Sequence, residues 1–153
     1  MEKIKSFQVD HRRLNIGIYI SRIDGDCVTY DLRFCKPNMG VILDNSTIHT
    51  TEHMLATFLR NSQIADDVVY FGPMGCQTGF YLIVRDDIDQ NAVMEALKWA
   101  LKKTLDYDGE VFGNSEIECG NYINLDLARA KRACGAYLCT LEEIDKIIPY
   151  EEV

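Results

Sequence analysis

His49 and His53 stand four residues apart in Ile48-His49-Thr50-Thr51-Glu52-His53-Met54, and they are two of the only three histidines in 153 residues. On an α-helix, positions i and i+4 lie one above the other on the same face, with Cβ atoms about 5–6 Å apart. The pair can therefore present two imidazoles to one ion, each at about 2.0–2.1 Å if that ion is zinc. Glu52, one residue before the second histidine, points close to the same place without having to bind there. A carboxylate so placed can carry protons to and from whatever the ion holds.

Two histidines at this spacing can also be no more than polar residues on an exposed helical turn. The complete HxxEH pattern, set in an otherwise apolar helix, matches the inverted zinc-peptidase signature and turns the reading toward a metal. Two ligands do not make a stable site, so a third has to come from elsewhere. Ser115–Gly120 offers Glu116, Glu118 and Cys119, and spacing does not choose among them. A glutamate gives the two-His, one-Glu set of a hydrolase, whereas Cys119 gives a softer set suited to zinc or ferrous iron. Cys119 as a small buried hydrophobe is the alternative.

Cys76 is the second centre of potential chemistry. It lies in GPMGCQT with Gly72 and Gly75 close by, so backbone N–H groups can approach its sulfur and favour the thiolate. On the residues alone, a packing role is equally open. Cys27, Cys35, Cys134 and Cys139 fall on apparent strands or helices and read as packing residues. His11 reads as a structural histidine.

The elements that position these residues follow from pattern. Ile16–Arg22 and Val28–Phe34 are rich in β-branched and aromatic residues, and the Asp-Gly between them predicts a hairpin. Ile48, Met54, Leu55, Phe58 and Leu59 predict a mostly buried helix over 47–61. Val68–Phe71 and Gly79–Val84 predict two more strands. Val93, Met94, Leu97, Leu101 and Leu105 mark an amphipathic helix over 91–105. Another helix is predicted over 125–136, and Thr140 with Glu143 resembles a capping box opening a final short helix that Pro149 ends. The order suggests an α+β fold, a small antiparallel sheet packed against helices in two layers. We expect one domain over residues 1–153, a length that can bury a core unaided.

Sixteen basic and twenty-four acidic side chains leave a net charge of −8, which argues against nucleic acid and anionic membranes as partners. The N-terminal MEKIKSFQVDH lacks the apolar run of a signal peptide, and no stretch approaches the roughly 18 apolar residues of a membrane span. A cytoplasmic location is expected. The six cysteines include no CxxC pair and are expected to be thiols.

Assembled, these residues resemble the S-ribosylhomocysteine lyase (LuxS) family. The likeness rests on SFQVDH at 6–11, YDLRFCKPN at 30–38, HTTEH at 49–53, FLRN at 58–61, GPMGCQTGFY at 72–81 and ECG at 118–120. It implies that His49, His53 and Cys119 hold one divalent metal per subunit, ferrous iron natively, with zinc or cobalt able to replace it. It implies that Cys76 and Glu52 are the acid–base residues and that Ser6, His11, Arg33 and Arg60 bind the substrate at a homodimer interface. The implied reaction moves a carbonyl along the sugar chain and then eliminates homocysteine, leaving 4,5-dihydroxy-2,3-pentanedione, the precursor of autoinducer-2. The alternative is a metallopeptidase of the inverted HxxEH type, with Glu116 or Glu118 as third ligand and Glu52 activating water.

One departure stands out. Many family members carry Asp and Ser two residues apart before PMGC, where the aspartate is placed to meet the substrate ammonium; this chain has Tyr70 and Gly72. A tyrosine face attracts a cation by about 0.5–1 kcal/mol at an exposed site, less than a charge-assisted hydrogen bond at about 1.5–3 kcal/mol. Weaker recognition of that end of the substrate is expected.

Overall fold

The computed structural model describes residues 1–153. Strands β1 (Gly17–Asp24) and β2 (Cys27–Arg33) form the expected hairpin, with Ile18 opposite Leu32 and Asp24 opposite Cys27. In the turn, Gly25 takes a φ of +61°, which costs glycine nothing. Strands β3 (Val68–Pro73) and β4 (Gly79–Arg85) form a second hairpin, and β4 pairs antiparallel with β2. A two-residue strand, β5 (Ile148–Pro149), runs parallel to β1, giving the order β3-β4-β2-β1-β5. The four longer strands are antiparallel as expected, and β5 makes the sheet mixed. Pro149 cannot donate to a ladder and fits the sheet edge it occupies.

Three helices complete the fold. α1 (Asn45–Leu59) starts at Asp44, whose carboxylate accepts the Thr47 N–H at 2.8 Å. α2 (Gln90–Asp106) is capped in the same way by Asp89, and α3 (Leu127–Glu142) by Asp126. Leu55 and Leu59 of α1, Val93, Leu97 and Leu101 of α2, and Tyr137 and Leu141 of α3 share one core with Ile18, Tyr30, Leu32, Phe80 and Leu82 of the sheet.

The separate final helix expected from Thr140 is not formed. The apolar stripe of α3 continues from Ala130 and Cys134 through Tyr137, Leu138 and Leu141, all buried. Burying each large side chain is worth about 1.5–3 kcal/mol, so the helix runs through Thr140 rather than restarting there. Beyond it lie β5 and a 3₁₀ turn over Tyr150–Glu152. Cys139, on the opposite side of α3, is exposed and is not the packing residue expected.

What positions the site is the two-sided burial of β2. Side chains alternate along a strand, so Val28, Tyr30 and Leu32 join the helical core while Thr29, Asp31 and Arg33 face the other way. All six are buried. Leu14, Tyr19 and Tyr150 form a small second cluster, which brings the chain's two terminal regions together.

Gly79 allows β4 to approach β2 beside Arg33. A Cβ there would lie 2.1 Å from the Leu32 carbonyl oxygen, a backbone atom that cannot swing aside. Gly79→Ala is therefore expected to cost at least about 1–3 kcal/mol and to lower the melting temperature. Gly120→Ala, which meets nothing within 4 Å, is expected to melt like the parent. Equal melting of the two variants would contradict this packing.

Candidate metal centre and adjoining pocket

α1 stacks the two histidines on one face, with ring centroids 4.5 Å apart and planes at 86°. His53 Nδ1 donates to the Phe112 carbonyl at 2.6 Å, and His49 Nδ1 faces Asn124 Oδ1 at 2.6 Å. A carbonyl only accepts, so the Nδ1 of His53 bears a proton, and in the neutral ring the Nε2 lone pair is then free. Gly113 permits this approach, because a Cβ at that residue would lie 3.1 Å from His53 Nδ1, and its φ of +70° suits glycine.

Cys119 completes the group. Its sulfur lies 3.3 Å from His49 Nε2 and accepts the Asn121 N–H at 3.4 Å. The ligand atoms of His49, His53 and Cys119 all lie within 4.8 Å of one another. Two imidazole nitrogens and one thiolate are a donor set that would suit zinc or ferrous iron. Of the three downstream candidates, only the thiol joins this cluster. Glu116 and Glu118 are exposed, and Glu118 accepts the Ser115 hydroxyl at 2.6 Å.

The chain after Cys119 is clasped to α1. Ser46 donates to the Asn124 carbonyl at 2.6 Å, and the Asp126 N–H donates to the Thr50 hydroxyl at 2.8 Å. Glu52, half-buried, lines a groove of about 290 Å³ with His53, Ala56, Thr57, Phe112 and Gly113.

Cys76 sits in the tight connection between β3 and β4. There the Met74 N–H bonds the Gly79 carbonyl at 2.9 Å, and the Gln77 N–H bonds the Met74 carbonyl at 3.0 Å. The groups that act on its sulfur come from Thr78 and Arg33 rather than from the neighbouring glycines. Arg33 Nη1 donates to Thr78 Oγ1 at 2.5 Å and lies 3.8 Å from the Cys76 sulfur, while Thr78 Oγ1 is 3.1 Å from that sulfur. Burial pushes the thiol up, but the Thr78 hydroxyl, the Thr78 N–H and the Arg33 guanidinium outweigh it and hold Cys76 below the ordinary thiol range.

Arg33, only 1% exposed, is the largest fully buried side chain. Its Nη2 pairs with Asp31 Oδ2, which also accepts the Tyr150 hydroxyl. Burial pushes the Asp31 carboxyl up against the opposing pull of Arg33 and Tyr150. Arg33 Nε and Asp31 Oδ1 have no hydrogen-bond partner within the chain. Sequence reasoning did not find Thr78, Asp31 or Tyr150. The available signal was Asp31-x-Arg33, two charges on one face of a strand that is otherwise apolar.

His11, Arg33, Cys76 and Thr78 line a pocket of about 210 Å³ that is rimmed by Val41 and Ile42. Ser6 and Arg60 do not line it. Ser6 lies on the 3₁₀ turn Lys5–Phe7, and Arg60 donates to the Val68 and Val69 carbonyls at 3.0 Å each, fastening α1 to β3. The Cys76 pocket and the Glu52 groove share no lining residue. Tyr70 lies across Gly72, where an added Cβ would meet the Tyr70 hydroxyl at 2.0 Å, so the two departures from the family pattern are sterically coupled.

A sequence model of the family described as S-Ribosylhomocysteinase (LuxS) matches residues 4–147. The chain is 42% identical over 149 residues to an S-ribosylhomocysteine lyase of Borreliella burgdorferi, covering 94% of this chain and 95% of the relative. It is 43% identical over 152 residues to one of Desulfotalea psychrophila, covering 96% and 94%. It is 46% identical over 135 residues to one of Clostridium acetobutylicum, covering 85% of each.

The surroundings of Cys76 are open to titration. Alkylation of Cys76 by iodoacetamide, followed by peptide mass spectrometry to separate it from exposed Cys139, is expected to reach its thiolate plateau at a lower pH than an ordinary thiol. Thr78→Val removes a hydrogen bond to the thiolate, so the midpoint is expected to move to higher pH and the neutral-pH rate to fall. An unchanged or lower midpoint would contradict the role given to Thr78.

Proposed function

The chain belongs to the S-ribosylhomocysteinase (LuxS) family, and from this we propose that residues 1–153 form one lyase domain that cleaves S-ribosylhomocysteine. The products are homocysteine and 4,5-dihydroxy-2,3-pentanedione, the autoinducer-2 precursor. The observation that carries this reading is the convergence of the ligand atoms of His49 and His53, one helical turn apart, with that of Cys119, distant in the chain, within 4.8 Å.

His49, His53 and Cys119 would hold a divalent ion, ferrous natively with zinc or cobalt able to replace it, which would supply Lewis-acid polarisation of a sugar carbonyl when bound. Cys76, as thiolate, takes the proton from the carbon beside that carbonyl and returns it to the former carbonyl carbon. Glu52 moves protons between the sugar oxygens, so that the carbonyl advances along the chain. Once the thioether is β to the carbonyl, the proton between them is acidic. Glu52 takes that proton, the carbon–sulfur bond breaks as a carbon–carbon double bond forms, homocysteine leaves with a proton gained on its sulfur, and the enol left behind ketonises to the dione. His11 and Arg33 bind the substrate beside Cys76, a role supported by their place in the same pocket. Ser6 and Arg60 receive their binding roles from the family pattern alone.

We further propose that two chains form a homodimer that completes each site. In one chain the Cys76 pocket and the Glu52 groove are separate concavities, and Phe7, Met39, Val41 and Ile42 are exposed apolar residues. The proposed location is the cytoplasm, which suits six free thiols, and no helix is long and apolar enough to cross a membrane. The peptidase alternative is not favoured, because neither Glu116 nor Glu118 joins the histidines.

Release of free thiol from S-ribosylhomocysteine is the direct assay. Cys119→Ala is expected to lose both metal and activity. Cys76→Ala is expected to keep its metal while thiol release falls by about 10²–10⁴-fold or more, the usual worth of a positioned acid or base. Glu52→Gln is expected to keep the metal and accumulate a ketose without releasing thiol. The wild type should sediment at twice the 17.5 kDa chain mass. Normal metal content in Cys119→Ala, or full activity in Cys76→Ala, would overturn the assignment.

A further inference from the structure

The two ligand rings are held by different kinds of group. His53 Nδ1 donates to the main-chain carbonyl of Phe112, an acceptor that any residue at 112 would supply. His49 Nδ1 instead meets a side chain, the Asn124 amide oxygen, at 2.6 Å. Asn124 ends the 3₁₀ turn Tyr122–Asn124, five residues beyond Cys119, and its own carbonyl is held by Ser46 at 2.6 Å. Of the contacts that clasp the chain beyond Cys119 to α1, the amide contact is the one that ends on a ligand ring.

Building on the reading of His49, His53 and Cys119 as metal ligands, we propose that Asn124 is a positioning residue of that centre. It fixes His49 in the tautomer protonated on Nδ1, so that the Nε2 lone pair faces Cys119. A neutral imidazole otherwise divides between two tautomers, and the neighbour of one nitrogen decides the state of the other. At His49 the choice has a large consequence, because Nε2 lies 3.3 Å from the Cys119 sulfur. In the opposite tautomer, Nε2–H donates to that sulfur and the two ligands engage each other instead of an ion. An acceptor at Nδ1 removes this competing state and also makes the ring a better donor to a metal. No motif marks Asn124; it lies in NYINLD, and only the folded clasp brings it to the ring.

The test reads tautomer and metal affinity rather than turnover. In ¹⁵N-labelled, metal-free protein, the neutral His49 ring is expected to be protonated on Nδ1 in the wild type and in Asn124→Asp, and mixed in Asn124→Leu. In competition with a chromophoric chelator, Asn124→Leu is expected to bind zinc about 10–100-fold more weakly, with Asn124→Asp close to wild type. Ser46→Ala loosens the same segment without touching the ring, and is expected to keep both tautomer and affinity. A wild-type His49 protonated on Nε2, zinc affinity unchanged in Asn124→Leu, or equal weakening in all three variants would overturn the proposal. If Asn124→Leu does not fold, the wild-type tautomer and Asn124→Asp decide. A wild type that binds no zinc would refute the ligand reading, while the tautomer measurement would still decide the role of Asn124.

Discussion

The clasp between α1 and the segment that follows Cys119 is the interaction on which the proposed centre depends. α1 alone supplies two stacked imidazoles, which any well-formed helix with this spacing would present. The thiol arrives from 70 positions downstream because that segment is tied down at Ser46, His49 and Thr50, three residues on the first two turns of the helix. Each such hydrogen bond contributes about 0.5–1.5 kcal/mol net. The same tie excludes Glu116 and Glu118, which stay in solvent. Ligand choice here is a matter of backbone path more than of the ligands' own chemistry.

A second constraint governs Cys76. Arg33 is a cation enclosed by protein, and such a charge persists only when paired; removing one partner of a buried pair typically costs about 3–5 kcal/mol. Asp31 provides the pairing, Tyr150 steadies Asp31, and Thr78 passes the remaining face of the guanidinium toward the sulfur. The C-terminal turn therefore bears on the Cys76 thiolate through a chain of polar contacts crossing the face of β2 opposite the helices. Asp31 also tempers Arg33, since a counter-charge on one side of the guanidinium reduces what its other side offers to sulfur.

The sequence revealed the features that local periodicity determines. The HxxEH spacing and the apolar rows of α1 and α2 are readable because neighbours on a helix are neighbours in number, and the hairpins because alternation and turn residues are equally local. The third ligand was not readable from spacing, because nothing in Ser115–Gly120 says which side chain the backbone will turn inward; the family likeness pointed to Cys119. The end of α3 was misjudged because a capping pattern at Thr140 is a local cue, overridden by buried Tyr137, Leu138 and Leu141. Thr78, Asp31, Tyr150 and Asn124 escaped notice for a common reason. Each acts on a chemical group that lies elsewhere in the fold or across a turn, and none carries a motif of its own.

The central claim is that one chain builds one His₂Cys centre from α1 and the segment carrying Cys119. Titration of metal-free protein with Co²⁺, read in the near-ultraviolet and visible, tests it most directly. The account predicts saturation at one ion per chain, with a thiolate-to-cobalt charge-transfer band that vanishes in Cys119→Ser and the intense visible bands of a low-coordinate site. Stoichiometric binding without the charge-transfer band, or with the same band in Cys119→Ser, would contradict it.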